Sequence, residues 1–477
     1  MSDRDLTLPG NPRYQPVGMK EVFGYDELYL GLARVEIATL DVLGEINVIP
    51  EKEMKSLVPG LRQQLLAIPT TRVDEIEREI THHDVRAWVR EAQEIINSAL
   101  ARWVHIPLTS YDPLDTGRII QFQSAYQRAL NPSIKEVIGL LADLVEKFAD
   151  QVQIGRTHGQ HALPITVGFW LATILQRILH NWYQMDVYAE ELVGKISGAV
   201  GAYNAQIGLR FDQASGDKTF EERVLDKLDL APAKISTQIL PPEPLAYFLF
   251  SCTMMSASLG QLGRDCRHLM RTEIAEVAES FETGQVGSST MAHKRNPINF
   301  ENIEGMWLRT KNELGKVLDT LISEHQRDLV GSPVARDFPI ILINLQQQLD
   351  TLTKKNKDGI PFLSRITVDP QACERNLNLS SPFILSEPLY IALQMAGYQG
   401  DAHELVNREL VPEARRTSLS LIGVLERATA NDSSLEETVD KIPQDIKELL
   451  QDPKAYTGKA TEKAREIASS AKDQIAT

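Results

Sequence analysis

Apolar residues recur with helical spacing along most of this chain. Within residues 27–47, one broad stripe is formed by Leu28, Leu32, Val35, Val42, Leu43 and Ile46. Between Met255 and Leu269 the apolar positions step by four and by three, which is the spacing of a helix-bundle seam. We find no convincing alternation of apolar and polar residues, so we expect no sheet beyond a small ribbon. The pattern predicts an all-α fold.

Three long apolar runs occupy the middle of the chain, at residues 164–193, 242–281 and 297–323. Each run begins at a proline, a residue that is common at the first position of a helix. We expect helices of roughly 30–40 residues, far longer than the average globular helix. Because such helices carry more apolar surface than one compact domain covers, we expect an obligate homo-oligomer built around them.

Segments with different patterns predict three domains. These are an N-terminal helical domain at 1–113, a central long-helix bundle at 114–365 and a C-terminal helical domain at 366–477. A lysine-rich stretch at 352–361 marks the second boundary. The charged, alanine-rich end, 453–477, is expected to form an exposed or frayed helix.

The composition limits the class of protein and its partners. The 477 residues carry a net charge of -15 and 43% of them are hydrophobic, which suits a cytoplasmic protein that does not bind nucleic acid. The N-terminus has no signal-peptide pattern, and no uncharged apolar stretch is long enough to span a membrane. The three cysteines share no metal-binding spacing, so we expect reduced thiols. An anionic substrate would therefore need a local cationic pocket.

A polar loop joins the second and third long runs. Residues 284–297 read Gly-Gln-Val-Gly-Ser-Ser-Thr-Met-Ala-His-Lys-Arg-Asn-Pro. A mobile loop with this many cations and hydroxyls suits a lid over an anionic substrate, but most loops of this composition only connect helices. The loop resembles the signature of the fumarase/aspartase superfamily, in which a proline stands at the position of Ala292.

The resemblance implies roles for residues of this loop. Ser288 matches the serine that acts as the general base, and Lys294 is the cation that would activate it. Substrate contacts are implied for Ser289, Met291, Lys294 and Asn296. Just beyond the loop, Asn302 stands where other members have an arginine, which leaves the ligand set there open.

A second polar stretch, residues 155–164, has two histidines three positions apart in a turn rich in glycine and threonine. We expect it to precede a helix that starts at Pro164, and a nearby helix N-terminus favours a neutral imidazole at His158. The alternative is a capping loop with hydrogen-bonded histidines. The stretch resembles the superfamily's Thr-His-x-Gln segment, which implies that His158 is the general acid and that Thr157 contacts substrate.

Residues 79–88 contain two adjacent histidines followed by an aspartate. Taken alone, they are a helix cap formed by Asp84 and two surface histidines. The stretch is similar to the His-Asp-Val segment of the adenylosuccinate lyases within the superfamily. This likeness implies that His82, His83 and Asp84 belong to the substrate site, with His83 orienting the acid or the phosphorylated half of the substrate.

Two further turns match substrate contacts of the family. Thr109 and Ser110 precede the aspartates of an ordinary capping turn, and they resemble a Thr-Ser pair that hydrogen-bonds a substrate carboxylate. Gln238 lies ahead of three prolines and looks like a glutamine that contacts substrate. Taken alone, the first stretch is an ordinary turn and helix cap, and the second is a polar loop ahead of a helix that starts at a proline.

Two arginines flank a serine in the sequence Arg327, Ser332, Arg336. Two guanidinium forks and a hydroxyl suit a phosphate, although a salt-bridged helix end is the commoner arrangement when context is ignored. The spacing resembles the phosphate-binding segment of the adenylosuccinate lyases. Arg13 and Tyr14 resemble the pair that completes their nucleotide pocket.

Together these motifs imply a lyase. Adenylosuccinate lyases eliminate fumarate from adenylosuccinate, giving AMP, and from the succinylamino imidazole carboxamide nucleotide SAICAR, giving AICAR. Their sites are shared by three subunits of a homotetramer, and the resemblance implies no metal or organic cofactor. Two alternatives stay open: another superfamily enzyme, such as an argininosuccinate lyase or a cycloisomerase, and a non-catalytic helical scaffold.

Overall fold

The computed structural model describes residues 15–280, 291 and 293–476. Helices make up most of the regular structure in these residues, and the strands form three two-stranded sheets. The predicted all-α fold class is confirmed, and the small sheets agree with the expected ribbon.

The helices of the first half of the described chain are α1 Val17–Val22, α2 Tyr25–Glu45, α3 Glu51–Met54, α4 Pro59–Leu66, α5 Thr70–Ile76, α6 Asp84–Ile96, α7 Tyr111–Ala125, α8 Asn131–Lys147, α9 Val167–Glu190, α10 Asn204–Gly208, α11 Phe211–Ser215 and α12 Phe220–Asp226. Those of the second half are α13 Glu243–Leu269, α14 Ile298–Asp319, α15 Gly331–Ala335, α16 Pro339–Thr353, α17 Pro370–Ile384, α18 Ser386–Met395, α19 Ala402–Glu404, α20 Val411–Thr417, α21 Leu421–Thr429, α22 Ser433–Asp440, α23 Gln444–Leu449 and α24 Ala460–Ala476.

Short 3-10 and π-helical segments continue or connect several of these helices. They are Glu77–Thr81, Ala99–Trp103, Tyr126–Leu130, Leu363–Arg365, Leu405–Leu410 and Pro453–Ala455. The strands are β1 Val152–Thr157, β2 Gln160–Thr166, β3 Val193–Gly194, β4 Ala231–Pro232, β5 Val277–Ala278 and β6 Thr367–Val368. β1–β2 and β5–β6 pair antiparallel, and β3–β4 pair parallel.

The contacts divide the chain into two compact units, each assembled from separate segments. The first unit comprises the chain up to Lys135, His180–Gly260 and Ile303–Thr351. The second comprises Glu136–Leu179, Gln261–Asn302 and the chain from Leu352 onward. The division into three continuous domains stays a prediction.

In the first unit, α2 packs along α7 at a pair of glycines. A Cβ atom added to Gly31 would lie 2.7 Å from the carbonyl oxygen of Gly117, so the two backbones are in direct contact there. Leu32, Leu40 and Leu43 of α2 are also buried. The close packing fixes α7, which is directly preceded by the predicted site residues Thr109 and Ser110.

In the second unit, the β1–β2 hairpin lies against a helical core. Ile154 of β1 is buried in one cluster with Leu389, Leu393, Val406 and Leu410. α17 packs directly on β1. The hairpin is therefore anchored at its base by apolar packing.

The C-terminal helix α24 is docked on the second unit. Its buried positions are Ala460, Ala464, Ala468 and Ala471. Lys472 Nζ lies 2.7 Å from both Asp143 Oδ1 and Glu146 Oε2 of α8. The expectation of an exposed or frayed helix is wrong, because a stripe of alanines lets this helix approach its neighbours closely.

The three long helices are shorter than expected. α9, α13 and α14 have 24, 27 and 22 residues. Pro164 lies in β2, opposite Ile154, so it does not begin α9. The apolar residue Val277, which extended the second predicted run, lies in β5. Apolar strand residues lie next to these helices in the sequence. The predicted runs include them, so the runs are too long and their ends are misplaced.

In contrast to the expectation from the sequence, one described helix, α13, is long and apolar enough to cross a membrane, but 61% of its most apolar window is buried within the protein. A mostly buried helix of this composition is typical of the core of a soluble protein.

Candidate active site

A buried ion pair holds the turn that precedes α7. Asp112 and Lys195 are both fully buried, and the ammonium group contacts the carboxylate. Thr109 N donates to Asp112 Oδ2 at 2.8 Å, and the backbone N–H groups of Ser197 and Gly198 donate to Oδ1 at 3.2 Å. A buried carboxylate with this many donors is stable only while all of them stay in place. The backbone at Thr109 is therefore fixed.

Arg327 is oriented on two sides. Its Cζ atom lies 3.3 Å from the centroid of the Tyr111 ring at the start of α7. Its Nη1 atom donates to Gln238 Oε1 at 2.7 Å. A guanidinium group held by an aromatic face and a hydrogen bond loses little further freedom when it binds an anion.

Asp115 ties the segment that carries Gln238 to α7. Leu240 N donates to Asp115 Oδ2 at 3.1 Å, and Arg118 Nη1 lies 3.7 Å from Oδ1. Burial raises the pKa of the Asp115 carboxyl, and Arg118 and the Leu240 hydrogen bond oppose that shift. The carboxylate thus links a helix and a loop that both face the same cleft.

These elements enclose a cleft of about 1230 Å³ in the first unit. The predicted site residues that line it are His83, Asp84, Thr109, Ser110, Gln238, Arg327, Ser332 and Arg336. A cleft of this size accommodates a small organic molecule with several charged groups. The structure brings these eight residues together, and their individual roles stay predictions.

The two histidines that precede α6 differ in position. His83 occupies the N-cap position of α6, and its Nδ1 atom lies 3.1 Å from Asp84 Oδ1. Asp84 is the first residue of the helix, so the predicted cap is displaced by one residue. His82 is exposed in the left-handed region, at φ 50°, and it is not among the described residues that line the cleft.

His158 lies at the tip of the β1–β2 hairpin in the second unit. Thr157 pairs with Gln160, which leaves His158 and Gly159 as a two-residue turn. Both turn residues have positive φ, at 54° and 74°, as a type I′ turn requires. The expected helix start at Pro164 is wrong, because Pro164 lies in β2, so His158 does not directly precede a helix. The turn leaves His158 exposed.

The other histidine of this stretch is anchored. His161 Nδ1 lies 2.8 Å from Ser380 Oγ of α17. Burial, together with the nearby Arg156 cation, lowers the pKa of His161 and favours its neutral form. The geometry of His161 therefore matches the alternative given for this stretch, in which a histidine is only hydrogen-bonded.

The polar loop at residues 284–297, called the signature loop below, is described only in part. Ser288, Ser289 and Ala292 lie outside the described residues, as do Arg13 and Tyr14 at the N-terminus. Exposed side chains at the described end of the loop belong to Met291 and Lys294, and Asn296 is half-buried. α14 begins directly after Pro297. The predicted roles of the loop residues stay predictions.

Tyr111 and Arg118 are among the cleft residues that sequence reasoning missed. Tyr111 stood inside a matched motif but had no assigned role. Arg118 follows it by seven residues on α7, which places both on one face of that helix. Helical periodicity from Tyr111 onward would have found Arg118.

Comparisons with known proteins identify the class of protein to which this chain belongs. A family model described as a lyase matches residues 27–310, more than half of the chain. The structure resembles a fumarate lyase from Mesorhizobium sp. BNC1, with a TM-score of 0.78 and 21% identity over 97% of this chain and 100% of that chain. It also resembles the 3-carboxy-cis,cis-muconate lactonizing enzyme from Pseudomonas putida, with a TM-score of 0.76 and 23% identity over 97% and 98%. These likenesses show the shared fold.

Sequence relatives narrow the class. The chain is 34% identical to the adenylosuccinate lyase of Pyrococcus horikoshii over 470 residues, which cover 96% of each chain. It is 31% identical to the adenylosuccinate lyase of Archaeoglobus fulgidus over 97% of this chain and 98% of the relative. The chain therefore belongs to the lyase family and, within it, to the adenylosuccinate lyases.

Proposed function

We propose that this protein eliminates fumarate from adenylosuccinate, giving AMP, and from SAICAR, giving AICAR. The observation that carries the proposal is the cleft of the first unit. One wall presents Arg327, Ser332 and Arg336, and the same cleft is lined by the fixed Thr109–Ser110 turn. Cationic and hydroxyl groups in one cleft match a substrate with a phosphate and carboxylates.

The arginine side of the cleft would bind the phosphate. Arg327 is already positioned by Tyr111 and Gln238 before any ligand binds. Arg336 and Ser332 are one helical turn apart, so both reach the same region of the cleft. Binding energy from this non-reacting end of the substrate would hold the reacting end in place.

The chemistry needs one base and one acid. Ser288, activated by Lys294, would remove a proton from the carbon beside a carboxylate of the succinyl group. The electron pair left on that carbon forms the new double bond as the C–N bond breaks, and His158 would give its proton to the departing nitrogen. Lys294 and Asn296 would stabilise the carboxylate whose negative charge grows during this step.

The complete site would form in a homotetramer in the cytoplasm. Large apolar side chains on the long helices of the first unit are exposed, and they include Tyr183, Tyr247 and Leu318 at 62%, 52% and 57%. Burial of such helix faces against other copies is the usual arrangement in helical bundles. The predicted acid, base and phosphate groups would then come from neighbouring subunits.

The direct test is an assay of fumarate release by the purified protein. We expect release from adenylosuccinate and from SAICAR, and none from argininosuccinate. His158→Ala and Ser288→Ala should each lower kcat by at least about 100-fold, as expected for loss of a general acid or base. Release from argininosuccinate alone would identify a different lyase, and no release from any of these substrates would favour the scaffold.

A further inference from the structure

The segment Glu276–Glu279 carries two buried carboxylates that the proposed reaction does not use. It lies in the second unit, contains β5 and ends five residues before Gly284, the first residue of the signature loop. Glu276 is fully buried and Glu279 is 4% exposed. Buried carboxylates are costly unless they are fully hydrogen-bonded, so their partners reveal what they hold.

Glu276 accepts four hydrogen bonds from side chains. Oε1 accepts from Arg156 Nη2 and Asn376 Nδ2, both at 2.7 Å. Oε2 accepts from Arg156 Nη1 at 3.0 Å and from Gln153 Nε2 at 2.7 Å. Two of these bonds form a bidentate guanidinium–carboxylate pair, which fixes direction as well as distance.

The carboxylate is itself held in place by its backbone. Glu276 N donates to Leu269 O at 3.1 Å, and Asp369 N donates to Glu276 O at 3.0 Å. These bonds connect it to the end of α13 and to the residue that caps α17. Glu276 is therefore a rigid anchor for whatever its side chain binds.

The side chain of Glu276 binds the β1–β2 hairpin, whose tip carries His158. Arg156 pairs with His161 across the hairpin, and between that pair and the two-residue turn lies a single further pair, Thr157 with Gln160. The side chain of Arg156 is 16% exposed, and its Nη1 atom also donates to Ile154 O of the same strand at 3.3 Å, so the guanidinium is held between β1 and Glu276. A displacement of Arg156 would therefore move the turn that carries His158.

Glu279 fixes the other end of the same segment. Its Oε1 atom accepts from Asn299 N and Phe300 N at 2.9 and 3.0 Å, and Oε2 accepts from Asn299 Nδ2 at 2.8 Å. These donors lie in the first turn of α14, which begins at Ile298. One short segment thus anchors both the hairpin and the helix that follows the signature loop.

We propose that Glu276 is a positioning residue for the elimination: through its bidentate hydrogen bonds to Arg156, it fixes the hairpin tip so that His158 delivers its proton to the departing nitrogen. This inference rests on the proposed function. Glu276 does not take part in either proton transfer. It acts on the second transfer through the geometry of the hairpin.

Loss of the Glu276–Arg156 contact should change the partition between two fates of the substrate after its carbon proton has been removed. After the base removes a proton from carbon, the electron pair either expels the nitrogen, which takes the proton of His158, or takes a proton back from solvent. In D2O the second route places deuterium in unreacted adenylosuccinate. A misplaced acid slows the first route and leaves the second open.

The test uses Arg156→Lys, which keeps the charge but loses the bidentate fork, and Glu276→Gln, which keeps the shape but loses the charge. We expect fumarate release to fall by about 10- to 100-fold in both, with KM for adenylosuccinate within about twofold of wild type. The ratio of deuterium incorporation to fumarate release, measured by NMR, should rise severalfold. Glu374→Gln is the matched control, since Glu374 pairs with Lys454 on the exposed face of α17.

The ratio does not depend on the amount of active enzyme, so partial unfolding of a variant leaves it interpretable. A ratio equal to that of wild type in both variants would overturn the inference, even if activity were lost. If the wild-type protein released no fumarate from adenylosuccinate, the proposed function would fall instead, and this inference with it.

Discussion

At the residue scale, side-chain partners decide which charged groups are available to a ligand. Arg327 is stacked on Tyr111 and hydrogen-bonded to Gln238. Neither partner follows from the local sequence, because Gln238 lies 89 positions away. The arginine–serine–arginine spacing predicts an anion site, and the structure shows which atoms orient Arg327.

We expect Arg327→Lys to weaken substrate binding more than turnover. Lysine lacks the planar fork and the stacking surface, and the loss of charged hydrogen bonds worth about 1.5–3 kcal/mol raises KM about 10- to 100-fold. Steady-state kinetics with adenylosuccinate measures this. Arg102→Lys is the matched control, because Arg102 also contacts an aromatic ring and a carboxylate, Trp103 and Glu53, outside the cleft lining. A change in kcat without a change in KM would contradict a binding role.

The buried pair of Asp112 and Lys195 leads to a stability prediction. Lys195→Met leaves the Asp112 carboxylate buried without its cation, which should lower the free energy of unfolding by about 3–5 kcal/mol. Urea titration measures the change. The control is Lys218→Met, whose ion pair with Asp226 is exposed and should contribute less than about 1 kcal/mol. Equal effects of the two variants would argue against a special role for the buried pair.

At the element scale, helical periodicity identified the long helices α2, α9, α13 and α14 but not all of their ends. Pro164 resembles a helix start by its type and its neighbours, yet it pairs with Ile154 in the β1–β2 hairpin. A hairpin with a two-residue turn depends on cross-strand pairing, which a stripe of apolar residues does not report. The catalytic role proposed for His158 therefore belongs to a hairpin tip.

The docked helix α24 gives the prediction at this scale. Ala468 is fully buried, so Ala468→Glu would place a carboxylate between α24 and the surface on which it packs. The helix should then detach from the second unit. Hydrogen exchange of residues 460–476 should become much faster. Ser469→Glu, one residue further on the exposed face, is the control and should leave the exchange unchanged. Protection that persists in Ala468→Glu would show that α24 does not depend on this packing.

At the scale of the whole molecule, a single chain leaves apolar helix faces exposed. Tyr183, Tyr247 and Leu318 lie on three long helices and are more than half exposed. Length and apolar content predicted this excess from the sequence. How many copies cover these faces depends on the shape of the folded surface, so the tetramer stays a proposal.

Shared active sites can be tested with two inactive variants. Ser288→Ala and His158→Ala chains, unfolded together and reassembled, should form hybrids in which some sites combine an intact serine with an intact histidine. Random mixing in a symmetric oligomer would restore about one quarter of the sites. Each variant reassembled alone is the control. A mixture as inactive as either variant would contradict sharing between subunits.

Local pattern determined what depends on neighbours in the chain: the all-α class, the long helices and the motifs from which the family could be inferred. Those features need only a few consecutive residues, so they are visible without a structure. Tertiary structure alone decided the pairs Arg327–Gln238, Asp112–Lys195 and Arg156–Glu276, and it placed His158 on a hairpin. The members of each pair lie 83 to 120 positions apart, and the energy that joins them arises only after folding has removed water from between them.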